Sequence, residues 1–229
     1  MDARYLYCIT PADVEPASGL RGVGGEPVEL ITAGDLGIWT SPLPEGPVHA
    51  SIDAIAAHNA VIESALRPEV TPIPLRFGQR LDSADAVRDL IDREREAWLA
   101  KLRWFAGALE FGLRVIDPHR TTAARLVQRA PSGGGRQYLE DVARRRAEDR
   151  GAREEAERVA AKLRAYIGDA ALGERVDPLR TAHGLATIAY LVRRAEFDVF
   201  RERVARARAE LSSLQFLASG PWPPYSFVT

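Results

Sequence analysis

The chain has a single cysteine, no long apolar run and no excess of either charge, and each absence excludes something. Cys8 stands alone, so no internal disulfide can form and nothing points to an oxidising compartment. Its place in an apolar strand pattern marks it as an inert core residue rather than a nucleophile. No stretch of about 18 apolar residues occurs, so no membrane span is expected. The N-terminus lacks a basic region followed by an apolar run, so no signal peptide is expected and the cytoplasm is the expected compartment. Lysine and arginine number 31, aspartate and glutamate 32, and the net charge is −1. A phosphate-binding face shows as a basic excess, so nucleic acid is not expected as a partner. Near-neutrality also weakens self-repulsion, which suits a protein that associates.

Chemical motifs are equally scarce. The histidines are His49, His58, His119 and His183, and no two share an HxxH or HExxH spacing. His58 and Glu63 lie five apart, off the helical i, i+4 register. Gly133, Gly134 and Gly135 precede Arg136 at an expected helix start, where free amides can cradle phosphate. The P-loop lysine and the GxGxxG spacing are both missing, and a flexible turn is the better reading. No metal, cofactor or catalytic residue is therefore expected. An enzyme would need a pocket joining His58 or Glu63 to Arg76, with strongly shifted pKa values.

What is present is an α+β pattern in two domains, residues 1–106 and 107–229. In the first, β-rich domain, Tyr5, Tyr7 and Ile9 alternate as in a strand, and Pro11 to Gly25 reads as a mobile loop. Val28–Thr32 and Leu36–Thr40 pair around a Gly34-Asp35 turn. Pro42, Pro44, Gly46 and Pro47 break the chain. Ser51 then caps a helix whose apolar stripe is Ile52, Ile55, Ile62 and Leu66. Thr71–Phe77 reads as an edge strand, because Pro72 and Pro74 cannot donate ladder hydrogen bonds. Ser83 caps a helix carrying Val87, Leu90, Ile91, Trp98, Leu102 and Phe105.

Beyond Gly107 the order is strand, helix, strand, strand, helix, strand, the ferredoxin-like βαββαβ pattern. Leu109 to Val115 alternates with Glu110, Gly112 and Arg114 as a one-sided strand. Arg136–Ile167 is a charged helix with spaced pairs such as Asp141–Arg145 and Asp149–Arg153, which Gly151 bends or interrupts. Val176–Thr181 and Leu185–Arg193 are strands, and a helix through Phe197, Phe200 and Val204 leads to a last strand at Leu214–Ala218. Leu185–Val192 is apolar on both faces, so its second face needs cover from the first domain, the tail or a partner.

The end of the chain, Ser219-Gly-Pro-Trp-Pro-Pro-Tyr-Ser-Phe-Val-Thr229, carries aromatics on a proline-stiffened backbone. Such a tail either closes the protein's own core or presents an adhesive surface. It resembles the C-terminus of the gas vesicle protein F/L family. Tyr5-Leu-Tyr7, the His58–Glu63 helix, Pro72-Ile-Pro-Leu-Arg-Phe-Gly78, Leu109–Val115, Arg136–Leu139, Ala189–Val192 and Phe197–Val204 recur in that family's order. The resemblance spans almost the whole chain, and the PLRFG and PWPPYSF elements are its specific parts. It implies an accessory or minor structural protein of gas vesicle assembly, in the cytoplasm and on the vesicle. It further implies contact with the hydrophobic shell-forming protein, and with other gas vesicle proteins. Expected partner-binding residues are Arg76, Phe77, Tyr190, Trp222, Tyr225 and Phe227. The alternative is a small-ligand-binding regulatory protein built on the ferredoxin-like domain.

Overall fold

The computed structural model describes residues 3–43, 48–120, 135–181 and 183–228, with 135–140 by backbone alone. The break at Pro44, Gly46 and Pro47 and the glycines Gly133 and Gly134 lie outside the described residues. The chain is a mixed α+β protein with two antiparallel sheets. It divides into two compact units, residues 1–110 with 221–229, and residues 111–220. The tail, expected in the second domain, thus belongs with the first.

The first unit is built on β1 (Arg4–Pro11), β2 (Glu29–Ala33), β3 (Leu36–Pro42), β4 (Ile73–Pro74) and β5 (Arg80–Leu81). Their order is β2-β3-β1-β4, with β5 also on β1, and all pairs are antiparallel. A central strand is covered on both faces, which is why β1 reads as the unbroken run Tyr5-Leu-Tyr-Cys-Ile9, all fully buried. Gly34 turns β2 into β3 at φ +59°.

The Pro11–Gly25 loop is pinned rather than loose. Val14 and Val23 are buried, and the Trp39 indole N–H donates to the Val14 carbonyl at 2.9 Å. Gly22 sits so close to Tyr7 that a Cβ there would lie 1.9 Å from the Tyr7 hydroxyl oxygen. The expected strand over residues 71–77 shortens to a ladder at Ile73 and Pro74, extended by one bond from the Leu75 N–H to the Tyr7 carbonyl at 2.8 Å. It lies at the sheet edge, and the prolines explain its brevity.

Ser51 caps α1 (Ile52–Ser64), its hydroxyl accepting the Ala54 N–H at 3.1 Å. The buried stripe is His58, Val61, Ile62 and Ala65. Ile52 and Ile55, expected on that stripe, are 86% and 40% exposed. The inward register is set by His58, and at 3.6 residues per turn Ile52 sits about 120° away from it. Ser83 caps α2 (Ala84–Phe105) in the same way, through the Ala86 N–H at 3.1 Å, and Val87, Ile91, Leu102 and Phe105 face inward.

The second unit follows through β6 (Ala108–Ile116), α3 (Gly135–Ile167), β7 (Gly173–Pro178), β8 (Gly184–Arg193), α4 (Phe197–Glu210) and β9 (Gln215–Trp222). The strand order is β7-β8-β6-β9. Leu113 and Val115 meet Leu163 of α3, Ile188 and Tyr190 of β8, and Phe200 of α4 in one apolar core. Gly151 does not interrupt α3, which runs unbroken for 33 residues. The ion pairs of α3 differ from those read off its spacing. Arg144 pairs with Asp141 at 2.6 Å, and Asp149 reaches outside the helix to Arg180 at 2.6 Å. Arg164 clasps Glu157 and Glu174. All lie at the surface, exposed or half-buried, and each contributes at most about 1 kcal/mol.

Candidate functional site

In the first unit, β1 aims Tyr5 and Tyr7 at the buried face of α1, and three ring systems converge on His58. Its imidazole lies 5.6 Å from Tyr5, 5.5 Å from Tyr7 and 5.6 Å from Phe77 by ring centroids. The hydrogen bonds fix its tautomer. Nε2 is 3.1 Å from the Leu75 carbonyl, which can only accept, so Nε2 carries the proton. Nδ1 then accepts from the Tyr5 hydroxyl at 3.1 Å, and that hydroxyl accepts the Gly78 N–H at 2.9 Å. Tyr7 is locked likewise, between Ser41 Oγ at 3.0 Å and the Val23 N–H at 2.9 Å.

Burial governs the acidity of the cluster. It holds His58 below its ordinary value, against a smaller opposing effect of the Leu75 carbonyl. Burial pushes Tyr5 up to about 12 and raises Tyr7, Cys8 and Tyr225 as well. Each of these groups is held neutral and hydrogen-bonded or sealed away, an arrangement suited to locking β1, α1 and the 75–78 turn together. Neither Glu63 nor Arg76 is among the hydrogen-bond partners of His58. No cluster of three or more His, Cys, Asp or Glu capable of holding a metal occurs among the described residues.

The tail is fastened beside this hub. After β9 it makes a short 3-10 turn, Tyr225–Phe227, over the buried Pro223 and Pro224. The Tyr225 hydroxyl donates to Asn59 Oδ1 at 2.9 Å. Glu110 accepts both the Ser226 N–H at 2.8 Å and the Ser226 hydroxyl at 2.7 Å. The Lys101 ammonium donates to the Val228 carbonyl at 2.8 Å. Phe227 is 1% exposed and meets Trp104 edge-on at 5.8 Å.

The six expected contact residues therefore separate. Phe227 and Tyr190 are buried, Tyr225 is half-buried with its hydroxyl bonded, and all three serve the protein's own cores. Phe77 is half-buried against Tyr5 and His58. Arg76 and Trp222 are exposed. Arg76 borders a cleft of about 250 Å³ with Pro74, Gln79 and Trp98. On β8, Ala189 and Leu191 are buried, as Ile188 and Val192 are, so neither face of that strand is free. Glu110 escaped the sequence reading because the strand alternation placed it on a solvent face. A carboxylate in the midst of Leu109 and Phe111 was the available signal.

Comparison with known proteins agrees with this architecture. A relative from Streptomyces sp. (strain CB03234), gas vesicle protein L, is 29% identical, over 98% of this chain and 92% of its own length. Gas vesicle protein F of the same strain is 26% identical, with 98% of each chain covered. The crystal structure of the gas vesicle protein GvpF from Anabaena sp. PCC7120 superposes with a TM-score of 0.73 at 17% identity, covering 100% of this chain and 99% of that one. GvpF from Microcystis aeruginosa gives 0.70 at 18% identity with both chains fully covered, 100% each. The family model described as gas vesicle synthesis protein GvpL/GvpF matches residues 3–229, and the chain belongs to that family.

Proposed function

We propose that this chain is an accessory protein of gas vesicle assembly that binds the hydrophobic shell-forming protein during nucleation or growth of the vesicle. Family membership supports a part in gas vesicle formation. The shell-binding role is our reading of the surface. The observation that carries it is the pair Ile52 and Ile55, one turn apart at the start of α1 and left 86% and 40% exposed. A folded chain gains by hiding such side chains, at roughly 25 cal/mol per Å². A partner with an apolar segment of its own supplies that cover and is kept soluble in return. Trp222, Arg76 and Phe77 of the same unit are the further contact candidates. The role is one of packing rather than catalysis, exercised in the cytoplasm and at the vesicle.

We also read the second unit as ferredoxin-like. Its element order β6-α3-β7-β8-α4-β9 and its strand order β7-β8-β6-β9 are those of the split-βαβ pattern.

Co-expression with a gas vesicle shell protein, followed by pull-down and a solubility assay, tests the proposed role. Co-purification of soluble shell protein is the expected result. A folded chain that captures none of it, while the shell protein aggregates as it does alone, overturns the reading.

A further inference from the structure

The second unit carries a surface that owes nothing to the shell-protein reading. Strand β9 is the outer strand of its sheet, with β6 on one side and no described strand on the other. Natural edge strands are blunted by charges, bulges or prolines. From Gln215 to Gly220, β9 has none of these charges or prolines: the run is Gln-Phe-Leu-Ala-Ser-Gly, and Pro221 comes only after it. Of these residues Phe216 alone is buried, and Leu217 is 55% exposed.

A groove of about 270 Å³ opens between this strand and α4. Phe111, Leu113, Phe200 and Val204 give it an apolar lining, while Ala218, Ser219 and Gly220 are too small to fill it. Its rim on α4 bears Arg201 and Arg208, seven residues apart on one helix face and thus about 10 Å apart along the axis. Arg201 lies 5.8 Å above the Phe111 ring and pairs with exposed Asp198 at 3.6 Å. Arg208 has no ion pair with a described residue. Two cations thus border an apolar trough that runs beside an open strand edge.

We infer that β9 is a docking edge for an extended apolar segment of a partner protein that carries carboxylates at its flanks. The segment adds as a fifth strand alongside β9. Main-chain hydrogen bonds to the free edge hold it, and alternate side chains turn into the groove. Arg201 and Arg208 select acidic flanks, because like charges there would be repelled. The charge on the rim is what picks this occupant over a second copy of β9, whose open run brings no carboxylate.

The probe is an eight-residue synthetic peptide of alternating valine and threonine with a glutamate at each end, added to the full-length chain. Hydrogen exchange of the β9 amides and calorimetric titration are the readouts. The peptide should slow exchange at alternate positions between Gln215 and Gly220. The exposed double variant Arg201→Glu and Arg208→Glu should bind it at least tenfold more weakly and should prefer a lysine-flanked version. Unchanged exchange on β9, or equal binding by the charge-reversed variant, overturns the inference. So does protection of β9 that rises with protein concentration alone, which would assign the edge to a second copy. Equal binding of decanoate would assign the groove to a small amphiphilic acid and would overturn it too.

Discussion

Glu110 receives both the amide N–H and the hydroxyl of Ser226, at 2.8 and 2.7 Å. The two residues are 116 positions apart, and Glu110 is 8% exposed. A buried carboxylate needs partners, and here the tail supplies them. Glu110→Ala should cost about 1–3 kcal/mol and open the tail to protease. Glu110→Gln keeps a carbonyl acceptor and should lose less. Limited proteolysis at the tail, alongside thermal melting, checks the pair. Equal cleavage rates for wild type and Glu110→Ala would deny the clasp.

Phe227 and Trp222 lie five residues apart in one tail and should behave oppositely. Phe227 is 1% exposed, so Phe227→Ala removes a packed ring and should cost about 3–5 kcal/mol. Trp222 is 45% exposed, so Trp222→Ala should cost much less. Truncation after Ser219 should accordingly lower the stability of the first unit, with which residues 221–229 are packed. Urea unfolding followed by tryptophan fluorescence measures all three. A large loss for Trp222→Ala and a small one for Phe227→Ala would contradict the packing.

His58 should make stability depend on pH. Its folded-state pKa lies below the ordinary 6.5, because burial disfavours the charged ring. At acid pH the unfolded chain therefore binds a proton that the folded chain refuses, so stability rises with pH. The contribution is complete above about pH 6.5 and declines as pH falls through that value toward the folded pKa. Urea midpoints between about pH 8 and pH 5 should drop, and His58→Gln should flatten that part of the profile. An unchanged slope in the variant would assign the pH dependence elsewhere.

Ile52→Asp separates surface from fold. The side chain is 86% exposed and opens α1, where a negative charge is favourable near the helix N-terminus. Stability should stay within about 0.5 kcal/mol of wild type. Capture of the shell protein should weaken at least tenfold, equivalent to about 1.4 kcal/mol. Undiminished capture would remove α1 from the proposed contact.

Much of this fold is legible in local sequence rules. Ser51 and Ser83 cap the helices they precede, the Gly34 turn joins the strands it separates, and the six-element order of the second unit can be read off in sequence. The misreadings have a common cause, which is long-range packing. Periodicity put Ile52 on the inward stripe, but His58, tied to Tyr5 and Leu75, sets which way α1 faces. Alternation put Glu110 toward solvent, and Ser226 is what buries it. The tail aromatics showed as apolar surface in need of cover, but composition alone left open whether the protein or a partner provides it. The open edge of β9 follows from strand order, which no local pattern of residues 215–220 reveals.

The tail has a consequence for how the chain is made. Residues 221–229 complete the first unit, yet they follow the entire second unit in the order of synthesis. A growing chain therefore exposes the seats of Phe227 and Ser226 until translation has passed the second unit. Contacts of such long sequence separation form late and slowly. Through that interval, the Glu110 carboxylate and the Trp104 ring face solvent without their partners, and the unit made first is the one finished last.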